Sequence, residues 1–339
     1  MLFDPWSLPV SIAVFLASAA VLLTVGVRFT RVVDRLADRT GLGEAVAGSL
    51  LLGATTSLPG LITTLLGALA GDASFAVSNA LGGVAAQTTF LALADLSYRR
   101  ANLEHAAASV PNLLQALVLV GLCGLILVGS SAPHLSWSGV HAVTPLLLIV
   151  YLYGLRLTRL SHDRPMWRPH RTRETRTDEP DADSDRVPLT RLWLDFGWMA
   201  GTVAVVGLLV GHAGLSIVSE TGARGSLVGG LLTSVVTSLP ELVTVFAAVR
   251  IGALTLAVGD IIGGNAFDLL FVFVADLAYL EGPVYGALDA GTQFLLALTV
   301  LMTAVLAAGL VYREQRGIGF EGVALLVLYG CGAAVMLTV

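Results

Sequence analysis

The 339-residue chain contains no lysine; all 19 of its basic residues are arginine, a bias of usage and not a mechanism. Charge of either sign is scarce, at 13% against about a quarter in soluble domains. There are only two cysteines, Cys123 and Cys331, and each sits inside an apolar run. They read as small packing residues, which excludes a disulfide framework or a thiolate metal site. The six histidines (105, 134, 141, 162, 170 and 212) fall in loops or near predicted helix ends, and no H-E-x-x-H or Cys/His cluster occurs. An intramembrane hydrolase needs a nucleophile with its base, or a metal, so an enzyme is not expected. No basic segment precedes the first apolar run, Leu8 to Val27. That run is long enough to span and does not read as a cleavable signal peptide.

What is present is hydrophobic: 55% of residues, with a mean hydropathy of +0.82. The chain reads as an all-α integral membrane protein. Apolar runs place ten predicted spans, at 8–27, 42–70, 73–97, 109–130, 138–156, 192–211, 223–249, 253–280, 290–311 and 318–338. The polar stretch from Arg156 to Arg191 holds nine arginines, seven acids and prolines 165, 169, 180 and 188. It cannot bury an apolar face and reads as a linker over 157–191. The expected division is therefore 1–156 as a first five-helix half and 192–339 as a second. With the N-terminus outside, 18 of the 19 arginines fall on the inner face and only Arg224 falls outside. This asymmetry puts both termini outside and the linker in the cytoplasm, in a plasma membrane. The seven acids nearly neutralise the linker's arginines, so no nucleic-acid partner is expected.

The two halves repeat at an offset of 181 residues. "TTSLPGLITT" at 55–64 lies over "VTSLPELVTV" at 236–245, and "AVSNALGGVAAQ" at 76–87 over "AVGDIIGGNAFD" at 257–268. "ADL" at 94–96 lies over "ADL" at 275–277. Shared Leu and Val could arise by chance, but T-S-L-P, A-D-L and aligned Gly pairs at one offset do not. Five helices per half is an odd number, so the second half enters from the opposite face. Such inverted repeats are common in secondary transporters.

The repeated segments carry polar residues at membrane depth. Pro59 and Pro240 lack an N–H and break or kink their helices. Backbone freed in this way is tolerated only against protein or a water-filled cavity. Glu241 follows its proline directly, where a charged carboxylate costs about 2.5–3.5 kcal/mol by insertion scales. Asp268 is a second acid within a predicted span. Thr56, Ser57, Thr237 and Ser238 offer hydroxyls beside the breaks. The pairs Gly82–Gly83 and Gly263–Gly264 are taken as further helix-breaking positions that bare carbonyls. Carboxylates, hydroxyls and carbonyls are the ligands of hard cations, and Glu241 and Asp268 are the expected metal-ion ligands. Asp260, Asn265 and Asn79 are possible additions; Asp95 and Asp276, near helix ends, read as interfacial.

These residues resemble the alpha repeats of sodium/calcium exchangers, within the calcium/cation antiporter superfamily. The family pattern is G-T-S-L-P-E-L, followed about twenty residues on by G-(N/D)-x-x-G-S-N-x-F-(N/D). The second repeat reads V-T-S-L-P-E-L at 236–242 and G-D-I-I-G-G-N-A-F-D at 259–268. The resemblance implies ten helices, with a central ion site between the second, third, seventh and eighth. It also implies exchange of cytosolic Ca²⁺ for external Na⁺ by alternating access, with no cofactor beyond the transported ions. Glu241 and Asp268 fall on its ligand positions, and Thr56, Ser57, Thr237 and Ser238 on supporting ones. The first repeat departs: Gly60 stands where the acid is expected, and Gly83, Val84 and Gln87 replace Ser, Asn and Asn or Asp. Gln87 keeps an amide oxygen; Gly60 keeps nothing. Fewer carboxylates weaken a divalent site. Three readings stay open: a cation antiporter with altered selectivity, a proton-coupled cation exchanger, and a regulatory homologue that no longer transports. The changes are confined to one repeat, whereas random decay strikes both. No oligomeric state is legible.

Overall fold

The computed structural model describes residues 4–40, 53–98, 102–103, 107–132, 135–163, 187–251, 254–312 and 318–338. The first half contains α1 (Leu8–Thr40), α2 (Gly53–Thr56), α3 (Leu58–Leu69), α4 (Ala73–Ser97), α5 (Val110–Ser131) and α6 (Val143–Asp163). The second contains α7 (Leu189–Thr221), α8 (Gly225–Leu227), a π-helical turn (Val228–Thr233), α9 (Ser234–Thr237), α10 (Leu239–Ile251), α11 (Leu254–Asp268), α12 (Leu270–Ala278), α13 (Ala290–Val311) and α14 (Phe320–Met336). Among the described residues, seven helices are long and apolar enough to cross a membrane. A bent pair, Gly225–Thr237 with Leu239–Arg250 at 44°, makes an eighth.

The 181-residue interval recurs in these bounds. It carries α1 onto α7, α2 and α3 onto α9 and α10, and α4 onto α11 with α12. Both T-S-L-P segments break at the serine. Ser57 and Ser238 leave helical geometry only slightly, and Pro59 becomes the second residue of α3. A proline there costs no hydrogen bond, because the first turn's N–H groups have no intrahelical partner anyway.

Helix α4 lies at the centre and is buried almost throughout. Its run of Ala, Ser and Gly lets neighbours approach on every side. A Cβ on Gly82 would run into the carbonyl oxygen of Gly230, and one on Gly229 into that of Phe75. The backbone of α4 and that of the π-helical turn are thus in direct contact. The long helices α1 and α7 lie together and reach the breaks of the opposite repeat: a Cβ on Gly26 would be 3.2 Å from Pro240 Cα, and one on Gly207 2.8 Å from Pro59 Cα.

Helix ends are capped by local carboxylates. Asp72 accepts the Phe75 N–H at the start of α4, and Asp289 that of Thr292 at the start of α13. Burial pushes the Asp72 carboxyl above its ordinary value, and the nearby charge of Asp289 adds to this. Burial also works against Asp289, but hydroxyls of Ser226 and Thr292 hold its carboxyl below the ordinary value.

Several expectations need correcting. The first span is the start of a 33-residue helix and does not end at Val27. Likewise the helix expected over 192–211 runs from Leu189 to Thr221. Phe29, Val33 and Leu36 are buried at helical spacing, so α1 keeps an apolar stripe between its arginines. The fold is mostly helical as expected, but the span expected from 138 begins at Val143, after one short hairpin. Ser136–Trp137 pairs antiparallel with Val140–His141. Ser138 and Gly139, at φ 53° and 85°, make the tight turn that a two-residue hairpin requires. Residues 42–52 and 164–186, which hold the start of the second expected span and most of the linker, lie outside the described residues.

Candidate functional site

The site forms where the two breaks meet α4 and the end of α11. Ser57, Gly60, Asn79, Gly83, Gln87, Thr237, Ser238, Glu241, Asp268 and Phe271 line one small cavity between the halves. It has room for about one water-sized body. Glu241 lies in the first turn of α10, directly after the break, and is 4% exposed. Ser57 Oγ donates to Glu241 Oε1 at 3.3 Å. Asp268 ends α11 and is 3% exposed. Gln87, on α4, donates from Nε2 to Asp268 Oδ2 at 2.6 Å and to Ser238 Oγ at 3.4 Å.

The remaining oxygens decide what this arrangement can do. Among the described residues, Glu241 Oε2, Asp268 Oδ1 and Gln87 Oε1 are buried without a hydrogen-bond partner. A buried carboxylate is costly unless paired, and none of the lining residues is basic. Three oxygen atoms from three segments, two of them from carboxyl groups, meet the coordination preference of a hard cation.

The other expected residues are distributed as follows. Thr237 lines the cavity, but its hydroxyl bonds to Ser234 O at 3.2 Å. Thr56 bonds to Gly53 O at 3.2 Å and is not among the lining residues. Asn79 ties the two breaks together. It donates to Gly60 O at 3.1 Å and to Thr64 Oγ1 at 3.0 Å, and accepts from Thr233 Oγ1 at 2.7 Å. Asp260, its counterpart 181 residues on, stands outside the lining and meets Thr244 Oγ1 at 3.5 Å. Asn265 faces α4 instead, donating to Thr88 Oγ1 at 3.0 Å.

The four glycines taken as helix breaks are not breaks. Gly82 and Gly83 lie inside unbroken α4, and Gly263 and Gly264 inside α11, whose end comes at Asp268. Glycine lowers helix stability too little to interrupt a packed helix. What these positions supply is proximity. A Cβ on Gly83 would be 3.5 Å from Ser238 Oγ and 3.6 Å from Asp268 Oδ2, and one on Gly264 3.7 Å from Gln87 Oε1. A Cβ on Gly263 would be 3.6 Å from Gln115 Oε1, and neither residue lines the cavity.

Asp95 and Asp276 do lie near helix ends, but they are buried, each 1% exposed. Phe271 was not singled out by the sequence. Its ring covers the side of the cavity where a residue at position 60 would project: a Cβ on Gly60 would be 3.1 Å from Phe271 Cε2 and 3.7 Å from Thr237 Oγ1. The signal available was its spacing, three residues after Asp268.

The sequence pattern of the sodium/calcium exchanger protein family matches residues 10–153 and 192–338, on both sides of the polar linker. The chain belongs to that family. Among curated relatives, it is 24% identical over 311 residues to CaxA of Alkalimonas amylolytica, named as a candidate antiporter, covering 89% of this chain and 91% of that one. It is 28% identical over 285 residues to the inner membrane protein YrbG of Escherichia coli K12, covering 82% and 83%. Among solved structures, the sodium-calcium exchanger NCX_Mj superposes with a TM-score of 0.64 at 19% identity, covering 96% of this chain and 98% of that one. The H⁺/Ca²⁺ exchanger CAX superposes at 0.65 with 12% identity, covering 99% and 86%. At such identities the structural likeness is one of fold.

Proposed function

We propose that this exchanger-family protein is a secondary active antiporter that carries Ca²⁺, or a related cation, against Na⁺ by alternating access. The observation that carries this reading is the set of unpartnered oxygens of Glu241, Asp268 and Gln87, buried where two broken helices meet. A hard cation supplies the charge those oxygens lack, and the breaks allow backbone and hydroxyls to face it without stranding polar groups in lipid. Glu241 and Asp268 bind the ion, Gln87 orients Asp268, and Ser57 and Ser238 complete the polar wall.

The ten-span layout belongs to the same reading. The seven long helices and the bent pair are joined by α3 with its preceding segment, and by α14, a 17-residue apolar helix. Five helices on each side of the linker make the halves inverted, with both termini outside and the linker in the cytoplasm of a plasma-membrane protein. In this reading the site lies at the repeat interface, the usual position in such transporters.

The test is ⁴⁵Ca²⁺ flux in proteoliposomes under an outward Na⁺ gradient, and separately under a pH gradient. Na⁺-driven uptake that disappears in Glu241→Gln is the expected result. Uptake driven by pH alone reassigns the coupling ion. Silence under both gradients, together with no ion binding, overturns transport.

A further inference from the structure

Asp95 and Asp276 close the same turn in the two halves. Each lies in the last turn of its helix and accepts a backbone N–H eight residues on, from Leu103 at 2.9 Å and from Val284 at 2.8 Å. In the second half the carboxylate is fully satisfied. Asp276 Oδ2 also accepts the His141 N–H at 2.9 Å and the hydroxyl of Thr144, the second residue of α6. The equivalent helix in the other half is α14, and its second residue is Glu321. There, a carboxylate replaces the hydroxyl donor.

The consequence is a buried pair of acids with unused oxygens. Asp95 and Glu321 are each 1% exposed. Glu321 Oε1 accepts from Asn102 Nδ2, and the adjacent Leu103 holds Asp95 Oδ1. Among the described residues, Asp95 Oδ2 and Glu321 Oε2 have no hydrogen-bond partner. A Cβ on Gly322 would be 3.8 Å from Asp95 Oδ2, which sets that atom against the first turn of α14. Two acids held together in a buried place either share a proton or take a cation between them.

We propose that Asp95 and Glu321 hold one divalent cation, Ca²⁺ or Mg²⁺, at a second site separate from the cavity at Glu241. Asp95 follows Gln87 by eight residues, about 12 Å along α4. Two carboxylates match the charge of a divalent ion and offer the oxygen donors that Ca²⁺ and Mg²⁺ take. The ion would pin the last turn of α4 to the start of α14, as Thr144 pins its counterpart without an ion.

The experiment is isothermal titration of the purified full chain with Ca²⁺ and with Mg²⁺, comparing wild type, Glu241→Gln and Glu321→Thr. Glu321→Thr installs the donor found opposite Asp276, so the turn keeps a partner and the fold is retained. The expected result is one divalent site that persists in Glu241→Gln and is lost, or weakened at least tenfold, in Glu321→Thr. The thermal midpoint of Glu321→Thr without divalents should equal or exceed that of wild type. Absence of divalent binding in Glu241→Gln overturns the proposal, as does unchanged binding in Glu321→Thr. Neither outcome bears on flux through the Glu241 cavity, which is measured separately.

Discussion

Gln87 and Asp268 occupy the same place in the two repeats, 181 residues apart, and they meet at 2.6 Å. The repeat therefore does more than duplicate a scaffold. It brings equivalent positions face to face, with an amide from one half steering a carboxylate from the other. The amide donor leaves Gln87 Oε1 and Asp268 Oδ1 without partners in the same wall.

This pairing makes Gln87 a positioning residue with a measurable effect. Gln87→Leu removes the donor and one candidate ligand oxygen while keeping much of the volume. Loss of a group that orients an ion-binding side chain weakens binding by roughly 10–100-fold. The expected result is a rise of that order in the cation concentration needed for half-maximal flux, with folding retained. Wild-type affinity would show that Asp268 needs no support from α4.

Gly60 and Phe271 are best treated as one unit. Position 60 is the counterpart of Glu241, yet the space beside it is taken by the Phe271 ring, 3.1 Å from where a Cβ would stand. Gly60→Glu alone should therefore transport poorly, because the new side chain must displace the ring. Gly60→Glu with Phe271→Ala should recover flux and bind Ca²⁺ more tightly than wild type, since added carboxylate charge raises affinity. Equal Ca²⁺ affinity in the double variant and wild type would show that position 60 does not reach the ion.

The sequence made the site's framework legible and its wall only in part. T-S-L-P and the two acids were readable because Pro and intramembrane carboxylates each carry a cost that hydropathy does not hide. The ends of α1 and α7 were not readable. Arg28, Arg31 and Arg35 end an apolar window, although Phe29, Val33 and Leu36 continue the helical stripe. Glycines 82, 83, 263 and 264 were misjudged because composition cannot separate a break from a close approach. Phe271 was invisible because an aromatic residue in an apolar run is ordinary, and only the fold puts its ring across from Gly60. The burial of Asp95 and Asp276 depends on segments far along the chain, His141 and Thr144 for one and Glu321 for the other.

In the proposed reading Asn79 serves stability and Glu241 serves transport. It serves Gly60 O, Thr64 Oγ1 and Thr233 Oγ1, and so joins α3, α4 and the π-helical turn. Asn79→Leu removes three buried hydrogen bonds, at about 0.5–1.5 kcal/mol each, although Thr64 and Thr233 keep bonds to Ala76 O and Gly229 O. The thermal midpoint should fall by many degrees, whereas Glu241→Gln should leave it near wild type while removing flux. A stable Asn79→Leu protein with normal flux would assign that junction to packing alone.

Gly82 and Gly83 are neighbours with opposite tasks, and alanine separates them. At position 82 a methyl group meets the Gly230 carbonyl oxygen, which belongs to backbone and cannot rotate away. Overpacking of this kind costs about 1–3 kcal/mol or more. Gly82→Ala should therefore lower the thermal midpoint and the yield of folded protein. At position 83 the nearest atoms are 3.5 and 3.6 Å away, ordinary contact distances, so Gly83→Ala should fold as wild type. Its methyl group instead faces Ser238 Oγ and Asp268 Oδ2 across the cavity, and the expected change is in cation affinity. Gly83→Ser would restore affinity by placing a hydroxyl oxygen there. If Gly82→Ala melts like wild type, α4 and the π-helical turn are not in backbone contact. If Gly83→Ala and Gly83→Ser bind cations alike, that face of α4 does not meet the ion.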